Sequence, residues 1–149
     1  MGKASTIMAF GNPAVWWTGL IAILFVLGYG AYRNALPMLR VTRGRDDAYD
    51  RAMPVIAVGF LSAYLPWVLV SRLTFIYHYF ASVPFIILAT AQGLRYLERH
   101  NKKLSHGLMI VLCVAAVVLF IAFYPYASGL EVSREWLAKM NWFKNWMWY

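Results

Sequence analysis

Four long stretches without Asp, Glu, Lys or Arg constrain the fold of this chain more than any other feature. Each is long enough to cross a bilayer, because about 20 helical residues span the roughly 30 Å hydrocarbon core. Only helices or closed barrels satisfy their backbone groups in lipid, and continuous apolar runs such as residues 20–27 lack the alternation of a barrel strand. The sequence therefore predicts four membrane-spanning helices, at residues 13–32, 52–71, 73–94 and 107–126.

The composition agrees with a membrane environment. Apolar residues make up 62% of the 149 residues and charged residues only 13%, whereas soluble domains average about 45–50% and about 25%. The net charge of +8 lies in short clusters between apolar runs and not on one continuous face, which argues against a nucleic-acid partner. The lone Cys113 excludes an intrachain disulfide and a cysteine-based metal site. We expect one all-α integral membrane domain over residues 1–149, with membrane lipid around it and no metal.

Prolines give local signals at helix ends and inside helices. Asn12 followed by Pro13 has the pattern of an N-cap and first helical residue, and Pro54 predicts a similar start for the second span. Pro66 and Pro84 fall inside the predicted spans, where each removes a backbone hydrogen bond and is expected to kink its helix. Kinks in membrane helices either shape a cavity or are irregularities of packing, and the sequence leaves both open.

The distribution of basic residues predicts the orientation in the membrane. Residues 33–51 contain five arginines and residues 95–106 contain four Lys or Arg, whereas Arg72 is the only one between the second and third spans. Because basic loops stay on the cytoplasmic side, both clusters are expected there. The chain is then a multi-pass protein of the cell membrane with extracytoplasmic N- and C-termini.

Tryptophans mark the opposite side of the membrane. All seven fall toward the predicted outer face, where amphipathic rings favour the headgroup layer. In the tail, apolar residues recur at i, i+4, i+7 and i+11 with polar residues opposite, which predicts an interfacial amphipathic helix over residues 131–147. The residues of this repeat are Trp136, Met140, Phe143 and Met147.

Residues 64–80 concentrate polar groups at the predicted outer boundary. Arg72 is the only strong charge of this segment, and a guanidinium binds phosphate oxygens through two parallel hydrogen bonds. Tyr77, His78 and Tyr79 can donate hydrogen bonds to sugar or phosphate oxygens. Successive helical residues diverge by about 100°, so at most two of these three side chains share a site. The alternative is an arginine that contacts lipid headgroups beside an aromatic belt.

Three motifs follow one another along the chain. They are Asn-Pro-Ala-Val-Trp-Trp at residues 12–17, the Leu-Pro-Trp to His-Tyr segment at residues 65–79, and Tyr-Pro-Tyr-Ala-Ser-Gly at residues 124–129. In order and spacing they resemble the C-terminal four-helix region of protein O-mannosyltransferases, and the resemblance extends from Phe10 to the tail. It implies a polytopic GT-C glycosyltransferase that transfers mannose from a polyprenyl-phosphate carrier to Ser or Thr hydroxyls of proteins outside the cytoplasm. The lipid-linked sugar is then a substrate, and no cofactor is implied.

The resemblance also implies roles for individual residues. Arg72 and His78 match positions of a family motif near the donor, so Arg72 is expected to steady the lipid phosphate and His78 the phosphate or the sugar. Full-length members carry a larger N-terminal membrane half with the acidic residue that activates the acceptor hydroxyl, and nothing in this sequence aligns with it. The outer carboxylates, Glu131 and Glu135, are better explained as charges that balance Arg134 and the start of a helix.

We therefore assign no catalytic residue and expect no turnover by this chain alone. One interpretation is a donor-binding part of the enzyme that needs a second chain carrying the catalytic half. The alternative is a non-enzymatic membrane binding or assembly module, which predicts no donor binding. A small transporter subunit is less consistent with the sequence, because the four predicted spans contain only His78 among the residues that form intramembrane ion or proton relays.

Overall fold

The computed structural model of this chain describes residues 3–4, 11–38, 48–70 and 76–140, apart from the side chains of 3–4, 33–38, 48–51, 76–77, 126, 137–138 and 140. These residues are almost entirely helical. The helices are α1 (Pro13–Met38), α2 (Ala48–Val68), α3 (Ile76–Tyr79), α4 (Val83–His100), α5 (Lys102–Ser128) and α6 (Arg134–Met140), with a 3₁₀ turn at Phe80–Ser82. Two short strands, β1 (Lys3–Ala4) and β2 (Val132–Ser133), form an antiparallel pair.

Three of the described helical segments are long and apolar enough to cross a membrane, which confirms an all-α membrane region. They are Pro13–Tyr32, Phe80–His100 and Lys102–Pro125. The apolar part of α2, Ala52–Val68, is shorter. The count of four spans therefore stays a prediction. So does the interfacial helix over residues 131–147, because α6 covers only part of it and residues 141–149 lie outside the described residues.

The helices α1 and α4 run parallel to each other. Near the start of both, the ring centroid of Trp16 lies 5.1 Å from that of Tyr79, which precedes α4. Further along, Phe25 and Tyr29 of α1 lie 5.2 Å and 5.5 Å from Tyr96 of α4. Residues later in α1 therefore contact residues later in α4, as expected for a parallel pair.

The helix α2 runs antiparallel to α4. Gly59 lies so close to Phe85 that a Cβ at this position would collide with the ring. Toward the end of α2, the ring of Tyr64 lies 5.9 Å from that of Tyr79. Residues later in α2 therefore contact residues earlier in the segment that leads into α4, as expected for an antiparallel pair.

The helix α5 folds back on α4 and also contacts α1. Its Ser105 donates a hydrogen bond from Oγ to the carbonyl oxygen of Leu94 at 2.8 Å. Nearer the other end, Asn12 donates from Nδ2 to the carbonyl oxygen of Ala116 at 2.7 Å, and this bond joins the start of α1 to α5. The four long helices therefore form an up-down bundle.

This arrangement gives the bundle two chemically different ends. We call one the aromatic end, defined by Trp16, Tyr64, Trp67, His78 and Tyr79. We call the other the basic end, defined by Arg95, Arg99, Lys102 and Lys103, where α4 turns into α5. The C-terminal half of α1, which leads to residues 33–51, also lies at the basic end, because Tyr29 contacts Tyr96.

The core lies between α1, α2 and α4. Ile23, Val26 and Ile86 are almost completely buried there. Gly19 permits the close approach of α1 and α4, since a Cβ at this position would lie 2.8 Å from the Cβ of Ile86. The other members of the buried cluster are Met53, Ile56, Phe60 and Ala89.

The positions at which the helices begin show that two of the proline predictions are wrong and that a third is confirmed. Asn12 caps α1, because its Oδ1 accepts the backbone N–H of Ala14 at 3.0 Å. Pro54 does not start a helix: α2 begins at Ala48, in a polar segment where Asp50 favours a helix N-terminus. Pro84 does not kink the interior of a helix, because it lies in the first turn of α4, where its missing N–H costs no hydrogen bond.

Candidate functional site

The aromatic end holds the two predicted donor-binding side chains that the structure describes. The ring of His78 is partly buried and lies 4.0 Å from the ring of Trp67, at an interplanar angle of 54°. Tyr79 is also partly buried, and the rings of Trp16 and Tyr64 contact it edge-on at 5.1 Å and 5.9 Å. The start of α1 and the end of α2 thus hold His78 and Tyr79 in an aromatic environment.

The neighbouring side chains diverge as helical geometry requires. His78 faces the end of α2, whereas Tyr79 lies between α1 and α2. Arg72 lies outside the described residues, and so does the side chain of Tyr77. The structure therefore brings His78 and Tyr79 to one end of the bundle, and the donor-binding roles of all four residues stay predictions.

Two polar residues near this end have features that sequence reasoning missed. Asn12 uses its amide twice, as the cap of α1 and as the donor to Ala116 of α5. The Asn-Pro pattern predicted the first bond, but nothing in the sequence identifies a partner 104 residues away. Ser82 is completely buried in the 3₁₀ turn, and its Oγ has no hydrogen-bond partner within the described part of the chain.

Removal of a buried hydroxyl that makes no hydrogen bond costs little and often stabilises a protein. The hydroxyl of Ser82 therefore contributes no hydrogen bond to stability within the described residues. Ser82 lies in the 3₁₀ turn that joins the site residues of α3 to the start of α4. The sequence does not reveal this buried, unbonded hydroxyl, because a serine in an apolar run can equally donate a hydrogen bond to a carbonyl oxygen of its own helix.

The chemistry available at the aromatic end is binding chemistry. His78 and Tyr79 supply a ring nitrogen and a phenolic oxygen, both able to donate hydrogen bonds to sugar or phosphate oxygens. Among the residues that the structure describes, no three His, Cys, Asp or Glu side chains come together as a metal site requires. Glu131 and Glu135 follow the end of α5 in the sequence, and both side chains are exposed.

Comparison with known proteins identifies the family. A model of the family described as the C-terminal four TMM region of protein-O-mannosyltransferase matches residues 2–146. Dolichyl-phosphate-mannose-protein mannosyltransferase 5 of Candida albicans is 28% identical over 97% of this chain and 21% of its own length. Dolichyl-phosphate-mannose-protein mannosyltransferase 1 of Saccharomyces cerevisiae is 25% identical over 91% of this chain and 18% of its own length.

A bacterial relative gives the same result. Polyprenol-phosphate-mannose-protein mannosyltransferase of Corynebacterium glutamicum is 27% identical over 94% of this chain and 25% of its own length. The chain thus spans between 18% and 25% of the length of these three curated relatives. No solved structure matches it. From the family match over nearly all of its residues, the chain belongs to the protein O-mannosyltransferase family and corresponds to the C-terminal membrane region of its members.

Proposed function

We propose that this chain binds the lipid-linked donor of a protein O-mannosyltransferase, a polyprenyl-phosphate mannose whose sugar is transferred to Ser or Thr hydroxyls of proteins. The observation that carries the proposal is the placement of His78 beside Trp67, and of Tyr79 beside Trp16, at the aromatic end. The names of the relatives support the donor class, because they specify dolichyl-phosphate-mannose or polyprenol-phosphate-mannose.

The residues divide the donor between them. The guanidinium of Arg72, in the connection between α2 and α3, binds two phosphate oxygens in parallel. A ring N–H of His78 donates to a phosphate or sugar oxygen, and the contact with Trp67 restricts the rotation of the imidazole. Tyr77 and Tyr79 supply phenolic donors on other faces of the same short helix.

The orientation in the membrane follows from the two ends of the bundle. With four spans, the segments 33–51 and 95–106 are cytoplasmic, and the aromatic end meets the outer leaflet, where the donor phosphate lies. Two features support this: Trp16 and Trp67 lie at the end opposite Lys102, and α2 is long enough for a span. Its apolar part, Ala52–Val68, extends about 26 Å at 1.5 Å per residue, which is at the lower end of the length of a span.

Transfer of the sugar needs a general base within hydrogen-bond reach of the acceptor hydroxyl. Glu131 and Glu135 lie in the exposed segment after α5, where we assign them to balancing Arg134 and the start of α6. We therefore assign the base to residues outside this region, for example on a second chain that carries the catalytic half, and assign to this region the role of holding the donor.

Binding of a short-chain polyprenyl-phosphate mannose to the detergent-purified chain tests the proposal. We expect saturable binding that weakens by about tenfold or more in Arg72→Ala, equivalent to about 1.4 kcal/mol, and to a smaller extent in His78→Ala. Arg134→Ala is the matched control, because Arg134 is an exposed arginine at the start of α6. Saturable binding that Arg134→Ala leaves intact supports donor binding.

Two outcomes would contradict the proposal. The absence of binding in the unsubstituted protein would identify a non-enzymatic membrane or assembly module. Equal losses in Arg72→Ala and Arg134→Ala would show a general effect of positive charge and no specific phosphate contact.

A further inference from the structure

A groove runs between α1, α4 and α5, away from the aromatic cluster. Its volume is about 500 Å³, and it is open along one side. Most of its lining is apolar, and Arg95, Glu98 and His106 of its lining lie in the part near the basic end. Representative lining residues along the apolar part are Ala14, Val15, Ile87, Ala91, Leu112 and Ala116.

The hydroxyl groups in the groove wall are already bonded to backbone. Thr18 donates from Oγ1 to the carbonyl oxygen of Ala14 one turn earlier, and Thr90 donates to Ile86 at 2.8 Å. Ser105 donates to Leu94 across the α4–α5 contact. Because these donors are occupied, the wall is effectively apolar, and it suits a hydrocarbon chain better than water or a sugar.

The groove ends in charged residues at the basic end. Arg95 of α4 and His106 of α5 line it there, together with Glu98, and all three are exposed. The segment 95–106 carries four Lys or Arg against one Glu. Nδ1 of His106 donates to the carbonyl oxygen of Lys102 at 3.1 Å, so Nε2 donates to an anion when the ring is in its imidazolium form. The net charge at this mouth favours an anionic headgroup over a neutral one.

The opposite end of the groove is closed by a hydrogen bond. Asn12 at the start of α1 bonds to Ala116 of α5, and this contact joins the two helices just beyond the apolar lining. An acyl chain that lies in the groove with its headgroup at the basic end therefore ends near Asn12. The donor phosphate, which we place at the aromatic end, lies at the other end of the bundle from this headgroup.

The length of the groove matches one leaflet. Ser105 and Ala116 mark its two ends on α5 and are eleven positions apart, which corresponds to about 16 Å along the helix. This is about half of the roughly 30 Å hydrocarbon core, the depth that one acyl chain occupies.

We infer that this groove binds one acyl chain of an anionic phospholipid from the leaflet at the basic end, with Arg95 and His106 at the lipid phosphate. The site is separate from donor binding and does not depend on it. Its lipid would fill the space between α1, α4 and α5 and stabilise their packing at the cytoplasmic side of the membrane.

Native mass spectrometry of the full chain in detergent tests this site with defined probes. The chain is titrated with palmitoyl-oleoyl phosphatidylglycerol and, separately, with the phosphatidylcholine of the same acyl chains. We expect tighter binding of phosphatidylglycerol, and a loss of roughly fivefold in Arg95→Ala, the effect of one basic side chain near an anionic headgroup. Arg134→Ala, at the other end of the molecule, should bind like the unsubstituted protein.

A second pair of variants tests the acyl-chain part of the groove. Ala91→Phe fills the groove and should weaken the binding of both phospholipids, whereas Leu88→Phe, also exposed on α4 but outside the groove lining, should not. Helical content by circular dichroism verifies that each variant folds.

Four results would overturn the inference. Equal affinity for the two phospholipids would contradict the proposed contact with the anionic headgroup. Unchanged phospholipid binding in Ala91→Phe would contradict the location of the acyl chain in the groove. Displacement of phosphatidylglycerol by excess inorganic phosphate would reveal a phosphate site without a lipid chain. Displacement by a polyprenyl phosphate that itself depends on Arg95 would assign the groove to the donor. Each readout is independent of Arg72, so donor binding and this site fail separately.

Discussion

Replacement of Asn12 should destabilise the bundle by removing two hydrogen bonds made by one side chain. Oδ1 caps α1 through the N–H of Ala14, and Nδ2 bonds to the carbonyl oxygen of Ala116 in α5. Loss of an N-cap costs about 1 kcal/mol, and an interhelical hydrogen bond in a membrane protein contributes about 0.6 kcal/mol on average. Asn12→Ala should therefore lower the free energy of unfolding by about 1.6 kcal/mol.

A second substitution separates the two bonds. Asn12→Ser keeps an oxygen that can accept the N–H of Ala14, but the shorter side chain has no amide donor to reach Ala116. Its expected cost is only the interhelical part, about 0.6 kcal/mol. The difference of about 1 kcal/mol between the two variants then measures the cap alone.

Unfolding of the purified protein in mixed micelles of mild detergent and dodecyl sulfate, followed by circular dichroism, measures these differences. Ser128→Ala is the control, because this exposed hydroxyl bonds only to the carbonyl oxygen of Tyr124 in its own helix. The reasoning is refuted if Asn12→Ala unfolds like the unsubstituted protein, since neither bond would then contribute. Equal losses in Asn12→Ala and Asn12→Ser would refute the assignment of the larger share to the cap.

Three further predictions use the same purified protein. Gly19→Ala should lower the free energy of unfolding by about 1–3 kcal/mol, because the added methyl group would collide with Ile86. Gly28→Ala, at a position with open space around it, should be neutral or stabilising. Equal stability of the two variants would contradict the close contact between α1 and α4. Ile86→Ala should cost about 2–5 kcal/mol through the cavity it leaves, and Leu88→Ala, on the exposed side of α4, should cost much less in the same unfolding assay. In vesicles, exposed Cys113 of α5 should resist a charged maleimide until dodecyl sulfate is added, because a charged reagent does not enter the hydrocarbon core. Fast labelling in intact vesicles would place Cys113 outside the hydrocarbon core.

Local signals in the sequence predicted local structure well. Asn12 and Pro13 identified the first residue of α1, because a cap and its helix are adjacent in the chain. The predicted end of the first span at residue 32 is earlier than the end of α1 at Met38, because loss of apolar character ends a membrane span but not a helix. Pro84 illustrates a signal with two meanings, since the same residue either kinks a helix or starts one, and only the 3₁₀ turn before it decides between them.

The candidate site was predicted in part. The polar content of residues 64–80 identified His78 and Tyr79 as candidates, and the structure places both beside aromatic rings. Their partners were not predictable. The contact of Tyr79 with Trp16 depends on how α1 packs against the start of α4, and periodicity within one helix carries no information about its neighbour. The same limitation applies to the groove, whose walls come from three helices far apart in the sequence.

Some hydroxyl side chains donate hydrogen bonds within their own helix and one donates to a neighbouring helix, and this difference affects how the helices enter the membrane. The bonds of Thr18 and Thr90 lie within their own helices, so these side chains lose their polarity as soon as each helix forms. Ser105 is different, because its acceptor belongs to Leu94 of the preceding helix. Ser105 is buried in the first turn of α5 at the basic end, and a buried hydroxyl without its acceptor is costly, so insertion of α5 is most favourable when α4 is already beside it. The two helices should therefore leave the translocation channel together, as a helical hairpin.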